Sequence, residues 1–292
     1  MKPAPFDYYD PDSLDEVLDL LNQHGDDAKL IAGGQSLGPI LNMRLSAPKV
    51  LIDLNRVTTL DYQREEKNGL ALGSMTRQST LEDTAHLQVR QPLVATSIPY
   101  IGHRAIRNRG TVGGSVAHAD PAAEWPALIL ALDGSLLVRN AGGERVITAD
   151  DFFVWTLTNA LVPEEVLVEI RLPKWPNGAG WSFVEFSRRH GDFAVLGVAI
   201  RLSLDNAGRC TDARMVLIGG GPTPIRTRHA ETMLDGETIS QDLISEVSHQ
   251  ASQEIKPDGD IHASADFRRH LASVLVSSAL QQAAERATKN RS

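Results

Sequence analysis

A single cysteine, Cys210, stands in 292 residues, and that scarcity excludes several chemistries at once. No intrachain disulfide can form, an iron–sulfur cluster lacks its set of thiolates, and a cysteine-based zinc site lacks its ligands. No HExxH supplies the histidine version. Cys210 follows the turn Asn206-Ala207-Gly208 without an activating neighbour and reads as a structural residue. Also missing is any run of the roughly 20 apolar residues that a bilayer crossing requires. The net charge of −8 leaves no basic stripe and argues against nucleic acid as a partner. The opening MKPAPFDYYDPDS has neither the basic nor the apolar region of a signal peptide, so a cytoplasmic location is expected. Two common nucleotide motifs, GxGxxG and GxxxxGK[ST], are absent as well. The glycines at 219–221 run into Pro-Thr-Pro and read as a turn.

What is present suits an ordinary globular chain of two domains, or three small ones, with 42% hydrophobic residues. Ser13 and Glu16 have the form of a capping box. Leu14, Val17, Leu18 and Leu21 then give one apolar helix face that ends at Gly25. Short strands are expected at 29–32 and 50–54 around a helical stretch, a small-scale βα alternation. From Val57 the texture changes to strands and turns, with Asn68-Gly69 as a hairpin signal and Pro92 opening a helix. Asp120-Pro121 is expected to start a helix through Trp125, Leu128 and Leu132. A boundary is expected at 172–180, where prolines and glycines cluster. Beyond it the pattern becomes antiparallel strands near 181–186, 195–204 and 209–218. Two helices follow, the second with an apolar stripe of Phe267, Leu271, Val274 and Leu275.

Two glycine-rich stretches organise the first half. Residues 31–38 read IAGGQSLG, and residues 110–126 read GTVGGSVAHADPAAEWP. Without Cβ atoms, such loops can turn successive backbone N–H groups inward as an anion nest for a pyrophosphate. The donors would be Gly33, Gly34, Gln35, Ser36 and Leu37 in the first, and Gly113, Gly114 and Ser115 in the second, with the Thr111 and Ser115 hydroxyls beside them. Two tight turns without a ligand are the alternative. His118 and Asp120 are too few for a metal site, and Asp120 suits a helix start. Glu124 could accept hydrogen bonds from a sugar hydroxyl or be a solvated helix charge. The basic turn from Arg188 to Phe193 could face a flavin, face a partner protein or simply be exposed. Arg104, Arg107 and Arg109 read as structural or interface residues.

AGGQSL, IRNRGTVGGSVAHADPAAEWPA, RRHGDFAVLGVA and GGPTPIRTRHAE occur in this order over nearly the whole chain. Together they resemble the FAD-binding middle subunit of molybdenum hydroxylases, the group that includes carbon monoxide, xanthine, nicotinate, nicotine and caffeine dehydrogenases. The resemblance implies an α+β fold: an FAD-binding domain of two α/β subdomains (PCMH-type) at 1–54 and 55–173, a linker at 174–180, and a C-terminal domain at 181–292 with a small antiparallel sheet and helices. It implies that FAD lies between the subdomains, held by Ile31, Ala32, Gly33, Gly34, Gln35, Ser36, Leu37 and Gly38 on one side. Thr111, Gly113, Gly114, Ser115 and Asp120 would hold it on the other. Glu124 would lie near the ribose, Leu161 would make a backbone contact, and Arg188, Asp192 and Phe193 would approach the flavin ring. Phe193 stands where the family often has Tyr, so the ring could shield but not hydrogen-bond. The implied activity is electron transfer, with no catalytic residue of its own. Electrons would come from 2Fe-2S clusters on a small partner subunit, reduced by substrate at a molybdenum cofactor on a large one, in a dimer of heterotrimers. A stand-alone flavin oxidase or dehydrogenase on the same fold is the alternative.

Overall fold

Residues 2–290 are described by the computed structural model, and among them the strands form three principal sheets and one two-stranded ribbon. The first sheet is parallel, with Val50–Asp53 between Asp7–Tyr9 and Ala28–Ile31. Its first crossover is the helix Leu14–His24, which buries Val17, Leu18 and Leu21. Ser13 caps this helix by accepting from the Glu16 N–H at 3.3 Å. The Glu16 carboxylate reaches back to the N–H of Asp12, at 3.0 Å, so the expected capping box is offset by one residue. Gly25 stops the helix at φ 51°, a left-handed conformation that favours glycine. The strand Asp7–Tyr9 carried no sequence signal, because all three residues are exposed and show no alternation.

The second sheet is antiparallel, in the order Gln63–Glu66, Gly69–Gly73, Val166–Pro173, Ser135–Asn140, Gly143–Thr148. Its central strand, Val166–Pro173, also sends Val166 and Val168 into the core beneath the parallel sheet, which ties the two together. The helix Glu124–Ala131 is buried on every residue, as a helix apolar all round must be. Leu128 and Ile129 join one continuous core with Phe183, Ala199, Val216 and Ile218 of the next sheet. The expected helix start at Asp120 is corrected by three residues. Asp120 instead folds a turn, its Oδ1 accepting from the Ala122 N–H at 2.9 Å and its carbonyl from that of Ala123 at 3.1 Å.

The third sheet, Gly180–Phe186, Leu196–Leu204, Cys210–Ile218 and Ile225–Arg226, is antiparallel. Helices Arg228–Leu234, Gln241–Glu254 and Ala265–Asn290 cover one of its faces, the first of them unforeseen in the sequence. The apolar stripe expected on the last helix is also corrected. Phe267 and Val274 are exposed, and the buried row is Leu271, Ala272, Val276, Ala279, Leu280, Ala283 and Ala287. Small residues are required there because the Gly180 strand comes so close that a Cβ would strike the Ala283 carbonyl. Across the seam to the second sheet, Asp133 receives Arg201 and Arg214, each at 3.0 Å, and Arg226 at 3.3 Å. No helix among the described residues is long and apolar enough to cross a membrane.

Candidate cofactor-binding site

The two glycine stretches meet across one cavity of about 630 Å³, within the ordinary range for a ligand pocket. Of the residues assigned to the cofactor from sequence, all line it except Ile31, Gly38 and Arg188. Ile31 and Gly38 are supports. The Ile31 carbonyl accepts from the Leu54 N–H at 2.9 Å, and the Gly38 N–H donates to the Gly34 carbonyl at 3.0 Å. Arg188 lies outside the cavity, half-exposed and 3.4 Å from the Asp192 carboxylate. Phe193 lines the cavity yet remains 62% exposed, so it belongs to the mouth.

The two stretches differ in what they can offer. In the first, the N–H groups of Gly33, Gly34, Gln35 and Ser36 have no acceptor among the described residues. Gly34 adopts φ 71°, and the Gln35 amide holds the turn by donating to the Gly33 carbonyl at 2.8 Å. This is an open nest. The second stretch is the first turn of a helix, Val112–His118, rather than the loop expected. Its N–H groups are already used: Val112 to Thr76 O, Gly113 to Ser74 O, Gly114 to Thr111 Oγ1 and Ser115 to Thr111 O. The expectation that Gly113, Gly114 and Ser115 provide free amides is therefore corrected. Glycine is needed there for approach, since a Cβ on Gly113 would collide with the Ser74 backbone. Likewise a Cβ on Gly33 would run into the Arg109 carbonyl, so the first loop rests directly against the second. Leu161 shows a similar limit: its N–H donates to Asn159 Oδ1 at 2.8 Å, leaving only its carbonyl for a ligand.

Several contributors carry no local sequence signature. Asn55 Nδ2 donates to the Ala32 carbonyl at 2.9 Å, and Arg77 donates both to Asn55 Oδ1 and to the Arg109 carbonyl. The first loop, Asn55, Arg77 and the second stretch thus form one hydrogen-bonded staple. In the cavity wall, Ser74 Oγ and Gln78 Oε1 are buried without a partner among the described residues. Buried polar atoms left unpaired cost free energy, and a ligand with hydroxyl or amide groups would satisfy them.

The electrostatics are those of a site for a ligand with a small anionic centre. Among the described residues Lys29 is the one Lys or Arg side chain in the lining, against Asp120, Glu124, Glu165 and Asp192. An anion there must rest on backbone amide dipoles rather than on a cationic clamp. The Glu165 carboxylate is held below its usual pKa by its hydrogen bonds from Arg145. Burial works the other way on Glu124, pushing its carboxyl up to about 7, with the Asp120 charge adding to the effect. Burial also lowers the pKa of His118, which favours the neutral ring. Among the described residues no cluster of three or more His, Cys, Asp and Glu could hold a metal ion.

Comparison with known proteins supplies the context for this geometry. Residues 4–175 match the family described as the FAD binding domain in molybdopterin dehydrogenase. Residues 181–283 match the CO dehydrogenase flavoprotein C-terminal domain. The chain is 42% identical to the 6-hydroxypseudooxynicotine dehydrogenase complex subunit alpha of Paenarthrobacter nicotinovorans, over 98% of this chain and 97% of that protein. It is 39% identical to the caffeine dehydrogenase subunit beta of Pseudomonas sp. (strain CBB1), over 98% and 97%. A solved structure of carbon monoxide dehydrogenase from Hydrogenophaga pseudoflava, in a form lacking the Mo-pyranopterin moiety of its molybdenum cofactor, superposes with a TM-score of 0.95. That match has 36% identity and covers 98% of this chain and 99% of the other. With an open amide nest facing a helix start across one cavity, and both halves of the chain matched in order, this protein belongs to the FAD-binding medium subunits of the molybdenum hydroxylase family.

Proposed function

We propose that the cavity holds one FAD with its diphosphate on the amides of Gly33, Gly34, Gln35 and Ser36, and that the chain relays electrons within a heteromeric molybdenum hydroxylase. The observation that carries this reading is the open first loop, a row of four successive unpartnered amides in the cavity, facing a helix turn whose amides are already paired. FAD supplies the redox chemistry when bound, since it can take electrons singly and give them up as a pair. The chain's own residues bind and orient it. Thr111 and Ser115 offer hydroxyls beside the diphosphate, and Ser74 and Gln78 pair their buried polar atoms with the cofactor's hydroxyl and amide groups. Glu124 and Asp120 line the wall, while Asp192 and Phe193 stand at the mouth and restrict water. Domain limits of 1–54, 55–173 and 181–292 are supported by the three principal sheets, the third of which begins one residue earlier, at Gly180.

The same reading places the molybdenum cofactor on a large partner subunit and the 2Fe-2S clusters on a small one, in a dimer of heterotrimers in the cytoplasm. A chain with one buried cysteine has no thiolates for such clusters itself. The test is reconstitution. The isolated chain titrated with FAD should quench flavin fluorescence at one equivalent, and Gly33→Val should abolish that. An isolated chain that leaves flavin fluorescence unchanged overturns the binding reading. Full turnover by the chain alone, without molybdenum- or iron-containing partners, overturns the relay reading.

A further inference from the structure

Between the strands Gly180–Phe186 and Leu196–Leu204 the chain makes a turn whose Gly191, Asp192 and Phe193 reach the cavity lining. Its base is pinned. The Val195 N–H donates to the Phe186 carbonyl at 2.8 Å, and the Phe186 ring meets Phe267 of the last helix with centroids 6.1 Å apart. Its inner bonds are local: Ser187 Oγ donates to the Arg189 carbonyl at 3.0 Å, the Asp192 N–H to the same carbonyl at 3.1 Å, and Arg188 to Asp192 at 3.4 Å. Among the described residues no hydrogen bond or ion pair ties 187–193 to another element. The tip meets an imidazole instead. His103, in the FAD-binding half between the cavity-lining Gly102 and Ile106, faces the His190 ring with centroids 5.7 Å apart and planes at 61°.

The same imidazole explains Gly191. A Cβ there would lie 2.5 Å from His103 Cε1 and 2.8 Å from each ring nitrogen, closer than such atoms approach. Gly191 also takes φ 86°, in the left-handed region. Glycine is thus required twice, once by its own backbone and once by its neighbour. The fit is one of shape, since the His103 side chain does not cap the short helix Arg104–Arg107 that follows it. Nearby charges are already taken: Arg104 by Glu82 and Asp83, Arg107 by Glu82, and Arg188 by Asp192. Because His103 belongs to one half of the chain and the turn to the other, the contact spans the seam between them.

We propose that His103 is the seat of the mouth turn: its ring, set against Gly191 and His190, positions Asp192 and Phe193 along the cavity lining and so governs how freely small solutes reach the flavin. Without the ring the turn keeps its pinned base and its internal bonds but loses this contact across the seam. Phe193, already 62% exposed, then swings on the pairing of Phe186 with Val195. His103 acts through the turn, so it is a positioning residue. Control of access rests on the FAD reading for the cofactor, whereas the seat belongs to the chain alone and can be tested without it.

A nitroxide attached at Arg189→Cys reports on the turn in the apo chain, because Arg189 is exposed and the native Cys210 is buried. Its spectrum should sharpen in His103→Ala, the mark of a freer turn, and keep its width in His103→Phe, which preserves a flat ring. An unchanged width in His103→Ala, or equal sharpening in His103→Phe, overturns the seat. Near-ultraviolet circular dichroism checks that each variant is folded. Thermal melts of the apo chain close a double-mutant cycle. Gly191→Ala should lower the melting temperature more beside His103 than in His103→Ala, where the backbone cost alone remains. Equal shifts in the two backgrounds overturn the contact. Access is read on the FAD-loaded chain from the rate at which dithionite bleaches its yellow band. His103→Ala should bleach at least about twofold faster, the lower end of couplings between touching residues, and His103→Phe should match the unmodified chain. Equal rates in all three overturn the control of access. No FAD binding overturns the cofactor reading and the control of access together, while the nitroxide spectra alone then decide the seat.

Discussion

Gly113 and Gly33 show how a single missing carbon can decide whether two segments meet. At Gly113 the obstacle to a Cβ is the Ser74 backbone, which cannot rotate away, and the Gly113 N–H is bonded to the Ser74 carbonyl at 2.8 Å. Gly113→Ala should therefore destabilise the chain by about 1–3 kcal/mol, the usual range for overpacking, and weaken FAD binding. A thermal melt and a flavin titration on the same variant check both. Cys210 gives an opposite kind of prediction. It is buried, and burial pushes its thiol up to about 11, so few thiolates exist at neutral pH. Iodoacetamide should leave the folded chain unlabelled and modify it once denaturant is added, as intact mass would show. The glycine stretches could be singled out from sequence, though not the close contacts that Gly33 and Gly113 serve, and the structural reading of Cys210 agrees with its burial. Asn55, Arg77, Ser74, Gln78 and Glu185 were not. Asn55 and Arg77 matter through partners far along the chain, and Ser74, Gln78 and Glu185 through burial by residues far from them in sequence, which neither spacing nor composition records.

At the level of elements, the staple from Ala32 through Asn55 and Arg77 to Arg109 joins the open nest to the second glycine stretch. Arg77→Ala removes two hydrogen bonds from a charged donor and leaves the Asn55 and Arg109 oxygens without that partner. Loss of about 1–3 kcal/mol is expected, together with an FAD affinity lower by about tenfold or more, read as a shifted titration midpoint. Helices with a cap and one apolar face, such as Leu14–His24, could be placed from their residues. The helix Val112–His118 could not, because Gly-Gly reads as a breaker when the tight contact it serves is out of sight. The last helix shows the same difficulty. Its aromatic and branched residues attracted attention, whereas the buried row is mostly alanine, chosen for a sheet that approaches too closely for larger side chains.

For the whole molecule, the carboxylates fall into two opposed sets. Glu82 and Glu165 are held below the usual range by arginines, so their stabilisation is full above the unfolded value of 4.5 and is lost as the pH falls through their lower folded values. Glu124 and Glu185 are raised, to about 7 and about 8. The folded chain therefore binds more protons than the unfolded one between 4.5 and those values, and stability declines as the pH rises through that window. Melting temperature should consequently peak on the acid side of neutrality and fall toward pH 8, which a pH series of thermal melts would reveal. A second prediction concerns the seam. Asp133→Asn withdraws the charge that three arginines share, one of them nearly buried, and should cost about 1–2 kcal/mol, discounted because Asp133 is partly exposed. The order of the three sheet regions was readable from the change in texture along the chain. Their continuity through the core around Leu128 and Ile129 was not.

The cavity draws its walls from as early as Lys29 and as late as Phe193, and the sheet whose first turn carries Phe193 is backed by the helix Ala265–Asn290. A truncation that keeps every lining residue but lacks that helix would leave the sheet behind Phe193 without its backing.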